Sequence, residues 1–476
     1  MTQPPSGPPP TPAVPPVPAS RQAPRSGASV AVPGPPRRTA WAEGVDRLRA
    51  AAVTEPGRLR IIGAVLVALV LAFGAVTAWQ VSDRAAAAEA VVARSQPLSA
   101  DAASLYRCLA DADTTAAGAF LAGGDEPPEL RERYERDIRT ASLLLTRAAA
   151  NSDASDPGYA EIVKLNRELP VYTGLVETAR ANNRQGLPLG GAYLRHAGER
   201  MREELLPAAE ALHRFETARL REDHGAARSR PVLALLTGVV ALAALGWAQR
   251  RHHLRTNRVF NLGLLAATVA TATTLLWLIA AHGLARSGLD DSDRYGARSL
   301  QVLNEAWTGV LRARGDENMT LVARGGGAEY EESYQAGMRE VAGDPVAGER
   351  DGTGLLARAL ALADDAEGRT PVRDALRATD RWREHHATAR ALENDGRYDD
   401  AVALVVGPGR DTARSAFDAV EAGLAEAVEH EQREFERAAE RGRDALDGLP
   451  AGAGALAVLG AVGVVLGIGR RLSEYR

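Results

Sequence analysis

The stretch Ile61–Ser82, IIGAVLVALVLAFGAVTAWQVS, contains no charged residue. A helix rising ~1.5 Å per residue needs about 20 apolar residues to cross ~30 Å of hydrocarbon, so this segment is long enough to span a bilayer. Three further stretches meet the same requirement: Pro231–Gln249, Val259–Ala281 and Gly448–Gly469. Some 60 residues precede Ile61, and its apolar run exceeds the ~7–15 residues of a signal-peptide core, so a retained anchor is expected rather than a cleaved leader. The fold class that follows is an all-α membrane protein with four transmembrane helices.

Arginine placement orients the spans. Arg37, Arg38, Arg47, Arg49, Arg58 and Arg60 precede the first; Arg250, Arg251, Arg255 and Arg258 fill the loop between the second and third; Arg470, Arg471 and Arg476 follow the fourth. The positive-inside rule puts these on the cytoplasmic side, making a multi-pass cell-membrane protein with both termini cytoplasmic. Residues 83–230 carry 23 acids against 20 bases, and residues 282–447 carry 34 against 22. The net charge of -4 and mean hydropathy of -0.19 therefore average over a basic inside, an acidic outside and uncharged spans.

The expected order is a disordered Pro-rich tail (1–38), an amphipathic juxtamembrane helix (39–57), span one (61–82), a first extracytoplasmic helical domain (83–230), span two (231–249), a basic loop (250–258), span three (259–281), a second extracytoplasmic domain (282–447), span four (448–469) and a short C-terminus (470–476). The first 36 residues hold 13 of the 26 prolines and cannot bury a core. Pro12-Ala13-Val14-Pro15 fits PxxP, a match that so proline-rich a tract makes nearly unavoidable. Trp41, Val45, Leu48 and Ala52 recur at helical spacing among arginines, as in a helix lying on a membrane surface.

Both large loops read as helices broken by turn clusters. The first breaks at Gly123–Pro128, Asn151–Gly158 and Asn182–Gly191, leaving four long helices, the first running on from span one and the last running into span two. The second repeats this plan with breaks at Gly325–Gly327, Gly343–Gly354, Asn394–Gly396 and Gly407–Gly409. Leu109–Gly124 followed by Tyr134 aligns with Leu311–Gly326 followed by Tyr334. Two four-helix-bundle-like domains from an internal duplication are expected.

No catalytic constellation, metal-ligand spacing or cofactor motif emerges, and nothing points to nucleic acid. The adjacent pairs His252-His253 and His385-His386 point about 100° apart on a helix and cannot share an ion. Cys108 reads as a small core residue or as an intermolecular disulfide in a dimer. Gly463 and Gly467 make a GxxxG spacing, which serves equally for packing within the chain or for a homodimer. Lys164 is the chain's only lysine. The cytoplasmic parts have no room for an output enzyme, so a signal received outside has to pass to another protein. Polar residues at equivalent places in the two repeats are the candidate contacts for a ligand or partner: Asp111, Asp113, Thr114 and Thr115, with Asp316, Glu317, Asn318 and Thr320. Their alternative role is a solvated helix face. Inside, Trp41 with Arg250, Arg251, Arg255 and Arg258 would meet a protein partner or anionic lipid.

The runs Leu105–Ala117, Ala119–Pro127 and Arg131–Glu135 resemble the first outer domain of actinobacterial GlnX-type membrane proteins, and Asp316–Gly325 resembles their second. The resemblance covers residues from about 58 onward. It implies a relay in which a solute-binding lipoprotein of the GlnH type reports extracellular glutamate or aspartate, and a soluble Ser/Thr kinase of the PknG type responds inside. Two other functions fit the residues alone: an envelope or division scaffold, and a chemosensor that binds a small molecule in its own helical domains.

Overall fold

The computed structural model describes residues 55–124, 126–256, 261–291, 296–344 and 353–472. The Pro-rich tail, the Trp41 helix and Arg258 lie outside them, as do the side chain of Arg255 and the C-terminus from Ser473. Among the described residues there are helices and turns and no strand. Among the described residues, four helices are long and apolar enough to cross a membrane. Leu59–Arg476 form one compact body.

Helix α1 (Glu55–Ala90) carries span one and continues without a break through a π-turn, Val91–Ser95, into α2 (Gln96–Leu121). At ~1.5 Å per residue this rod is about 100 Å long, far more than the membrane requires. The rod's upper part belongs to a first lobe completed by α3 (Pro128–Ala150), α4 (Tyr159–Arg184), α5 (Leu189–Arg200), a second π-turn at Met201–Leu205, and α6 (Leu206–Ala227). Helix α2 packs on α3 and α6, and α4 packs on α5 and α6. Pro128 opens α3 at a position where a missing N–H costs nothing.

Span two is α7 (Val232–Thr256) and span three α8 (Leu262–Asp291). The second lobe comprises α9 (Arg298–Val322), α10 (Ala328–Ala342), α11 (Leu355–Leu362), α12 (Ala366–Asn394), α13 (Tyr398–Val406) and α14 (Ala413–Asp444), and α15 (Leu449–Leu472) is span four. The short helices α11 and α13 are additions to the repeated plan. Asp365 caps α12 by accepting the Gly368 N–H at 2.7 Å, and Thr412 caps α14 by accepting the Ser415 N–H at 3.1 Å. The repeat is visible in how α2 and α9 end: each closes on a left-handed glycine, Gly123 (φ 84°) and Gly325 (φ 86°), which a side chain would strain.

The spans pack through Leu66 and Val70 of α1, Leu245 of α7, Leu264 and Ala267 of α8, and Val464 and Ile468 of α15. The GxxxG pair is used inside the chain. A Cβ added at Gly263 would fall on the Gly463 carbonyl oxygen and within 2.7 Å of the Gly467 backbone, and Asn261 Nδ2 donates to the Gly467 carbonyl at 2.8 Å. Where α6 ends before Pro231, Arg84 donates to the carbonyls of Ser229 (2.7 Å) and Arg230 (2.9 Å), satisfying groups the break would leave open. Large apolar side chains that remain exposed, such as Leu236, Val239, Leu276, Ile279, Val465 and Leu466, sit on the spans, where lipid would cover them.

The lobes share one core. Leu105, Leu109, Tyr172 and Leu212 of the first are continuous with Leu303, Val310, Trp382 and Leu424 of the second.

Candidate functional site

The contact between the lobes is built on the crossing of α2 and α9. Alanine and glycine on these helices let the backbones approach, and Gly118 and Gly315 leave the room that Asn318 and Thr114 occupy. Thr114 Oγ1 donates to its own-helix Ala110 carbonyl (2.9 Å) and lies 3.3 Å from the Leu311 carbonyl across the crossing. Asn318 Nδ2 returns a bond to the Thr114 carbonyl at 3.0 Å. Farther along, Arg107 lies over the Trp307 ring and donates to Asn304, while Arg312 Nε donates to the Tyr106 hydroxyl at 2.6 Å.

Beside this crossing lies a cavity of about 920 Å³, walled by both lobes. Asp113 and Asp316 enter it from opposite sides. Asp113 accepts from the Tyr172 hydroxyl (3.2 Å) and Asp316 from Ser333 Oγ (2.7 Å). Burial pushes each carboxyl up to about 6, against the opposing pull of Arg202 on both. Arg202 leaves the π-turn of the first lobe and lies over the Tyr330 ring of the second at 5.3 Å. Arg214, Arg221 and Arg312 with Glu210, Glu305 and Glu340 complete a wall that carries both signs of charge. A second cavity of about 410 Å³ shares His213, Thr217, Arg221, Gln301 and Asn304 with the first.

Residues 87–225 match the family model described as an actinobacterial sensor domain. No curated protein and no solved structure matches the chain. The sensor-domain segment begins in the last turn of α1, covers α2 to α5 and most of α6, and so supplies one wall of the cavity: Tyr106, Asp113, Arg202 and Glu210. Its match supports a sensing or signalling role for a protein of actinobacterial type.

Of the eight polar residues singled out in the sequence, Asp113, Thr114 and Asp316 line the cavity, and Asn318 bonds across the crossing beside it. Thr115 is buried, and Thr320 is buried and bonds back to the Asp316 carbonyl. Asp111 faces α3, where Arg133 binds it at 2.7 and 2.9 Å and also reaches Glu421 and Asp418 on α14. Glu317 points into the second lobe, held by Arg314, Trp382 Nε1 (2.8 Å) and His386 Nδ1 (3.0 Å). The solvated-face alternative fails for Thr114, Glu317, Asn318 and Thr320, which are buried among helices.

Arg202, Arg312, Tyr106 and Ser333 escaped the sequence reading. Arg312 and Tyr106 face each other across lobes whose contact no periodicity announces, and a π-turn at Met201–Leu205 shifts Arg202 off the face that regular helical spacing assigns it. Asp365, His430 and Glu434 also come together, with ligand atoms within 4.8 Å of one another. Cys108 is half-buried, and burial, then the charge of Asp137, pushes its thiol up to about 12, so it is not a thiolate at neutral pH. At the end of α7, Arg251 lies over the Trp247 ring at 5.4 Å, and Arg250 is exposed.

Proposed function

We propose that this chain is a non-enzymatic transmembrane signal transducer that relays extracellular glutamate or aspartate status from a solute-binding lipoprotein outside to a Ser/Thr kinase inside. One observation carries the reading: a single uninterrupted helix, Glu55–Leu121, crosses the apolar zone and then forms the core contact between the lobes. A partner that prefers one packing of α2 on α9 displaces that rod, and a continuous helix carries the displacement to its far end. The sensor-domain match at residues 87–225 supports the sensing half of the reading. The arginine distribution supports cytoplasmic termini. Arg250 and Arg251, with Trp41, Arg255 and Arg258, are the inner contact for the kinase or for anionic lipid. A homodimer would use a face other than Gly463–Gly467, which α8 already covers.

Capture of the intact chain from native membranes, with and without glutamate or aspartate, tests the relay. It expects a lipoprotein whose recovery changes with the amino acid and a kinase pathway that responds. Recovery indifferent to both amino acids, together with an unchanged kinase response on deletion of the gene, overturns it.

The cavity favours a second reading, direct sensing of a small molecule. Carboxylates and guanidiniums in one cavity suit a zwitterion, and about 920 Å³ holds an amino acid with room to spare. Calorimetry on the full chain in nanodiscs decides between the two: binding of free amino acid that is abolished in Arg202→Ala supports direct sensing, and a flat titration removes it.

A further inference from the structure

A second site lies in the other lobe, away from the cavity. Asp365 stands at the N-terminus of α12, and His430 and Glu434 stand one turn apart on α14. Spacing of i and i+4 puts the latter two on one helical face. His430 Nε2 is 3.3 Å from Asp365 Oδ1 and 3.7 Å from Glu434 Oε1. An ion held tetrahedrally by bonds of about 2.0–2.1 Å has ligand-to-ligand edges of roughly 3.4 Å; both separations are close to that, and the three ligand atoms all lie within 4.8 Å of one another.

Two observations independent of the acidic character point to a ligand. His430 is only 7 % exposed, yet its Nε2 has no hydrogen-bond partner. A buried ring nitrogen without a partner costs stability, and a cation would engage its lone pair. The backbone also leaves space: a Cβ at Gly368 would come within 3.3 Å of the His430 ring and 3.4 Å of Asp365 Oδ1. The Gly368 N–H meanwhile holds Asp365 in place at 2.7 Å, and that carboxylate keeps its second oxygen.

We propose that Asp365, His430 and Glu434 bind a divalent transition-metal cation of the zinc class, with water in the remaining position. Imidazole as a central ligand selects this class over calcium and magnesium, which take oxygen donors. Bound there, the ion ties the start of α12 to α14, the helix that leads through a short turn into span four.

The test uses the full chain in nanodiscs, without a histidine tag, stripped with a chelator and titrated with Zn²⁺, Mn²⁺, Ca²⁺ and Mg²⁺, metal content and affinity being read together. One zinc per chain is expected, with affinity weakened at least about tenfold in His430→Gln and in Glu434→Gln. His385→Gln, which removes a histidine outside the site, should match wild type. Glu434 is partly exposed, so its variant decides if His430→Gln fails to fold. Zinc bound as tightly in Glu434→Gln as in wild type, or no stoichiometric zinc in wild type, overturns the site. Binding of calcium or magnesium in preference to zinc overturns its class.

Discussion

Tyr134 of the first lobe and Tyr334 of the second occupy the same place in their repeats, and both hydroxyls are buried without a partner. Each ring has a cationic group on its face, but the two settings differ. Arg180 lies over Tyr134 at 5.0 Å and answers to Glu126 at 2.9 Å and to Glu177, whose side chain is half in solvent. His386 stacks on Tyr334 at 3.7 Å and is gripped by Glu317 on one side and Glu331 on the other, with Trp382 closing the cluster. Around Tyr334 the second lobe thus satisfies its charges within the cluster, whereas Arg180 beside Tyr134, itself buried, shares its charge with the half-exposed Glu177. A lobe whose charges reach solvent can repack around a ligand or partner at little cost, whereas one with interlocked buried ions resists repacking. On this contrast the first lobe is expected to repack more readily than the second.

Removing Glu317 should break the second lobe's cluster. Glu317→Ala leaves Arg314, His386 and the Trp382 N–H facing a void, and a loss of about 3–5 kcal/mol is expected in chemical unfolding of the full chain. A change on the first lobe's side of the cavity, Asp113→Ala, removes one acceptor, that of the Tyr172 hydroxyl, and should cost about 1 kcal/mol. Equal losses would erase the contrast. Next in size is the seam between the halves. Thr114→Val with Asn318→Ala removes its reciprocal bonds and should cost about 1–3 kcal/mol, and faster hydrogen exchange in α2 and α9 should accompany the loss.

Acidity should separate the cavity between the lobes from the Tyr334 cluster without mutation of either core. Asp113 and Asp316 have values raised from the ordinary 3.8 to about 6, so the folded state holds their protons more tightly and the fold loses stability as pH rises between these values. Compared with Asp113→Asn/Asp316→Asn, wild type should lose about 1–3 kcal/mol between pH 4 and 6.5, discounted for the cavity's access to water. The second lobe's pair has the opposite signs. His386, raised to about 9 mainly by its bonds to Glu317 and Glu331 against the cost of burial, keeps its contribution below 6.5 and loses it as pH climbs through 9. Glu331, lowered to about 2 by His386 despite burial, keeps its contribution above 4.5 and loses it as pH falls toward 2. Between 4.5 and 6.5 that pair should add no slope, and Glu331→Gln measured alongside wild type across this window checks it. The smallest effect is expected where the lobes agree: Tyr134→Phe and Tyr334→Phe each remove an unpartnered hydroxyl and should shift unfolding by less than about 1 kcal/mol.

Much of this architecture is legible in the residues because hydrophobicity and helix breakers act locally. The four uncharged runs became α1, α7, α8 and α15, and the glycine and proline clusters at Gly123–Pro128, Asn151–Gly158 and Gly407–Gly409 became turns. The site was half legible. Asp113, Thr114, Asp316 and Asn318 stood out as polar interruptions at matching places in a repeat, and they do converge. They converge because the duplicated helices pack on each other, so much of what reads as ligand contact is contact between copies. Glu317 looked equivalent to its neighbours and lies in the opposite direction, since helical rotation of about 100° per residue separates adjacent side chains. The π-turns and the cap that gathers Asp365 near His430 have no composition to betray them.

Gly263, Gly463 and Gly467 lie backbone against backbone, without side chains to act as bearings between α8 and α15. Surfaces that mesh this closely cannot slide past each other without separating first. These two spans therefore behave as one piece, and any relative motion among the spans has to occur at a seam other than this one.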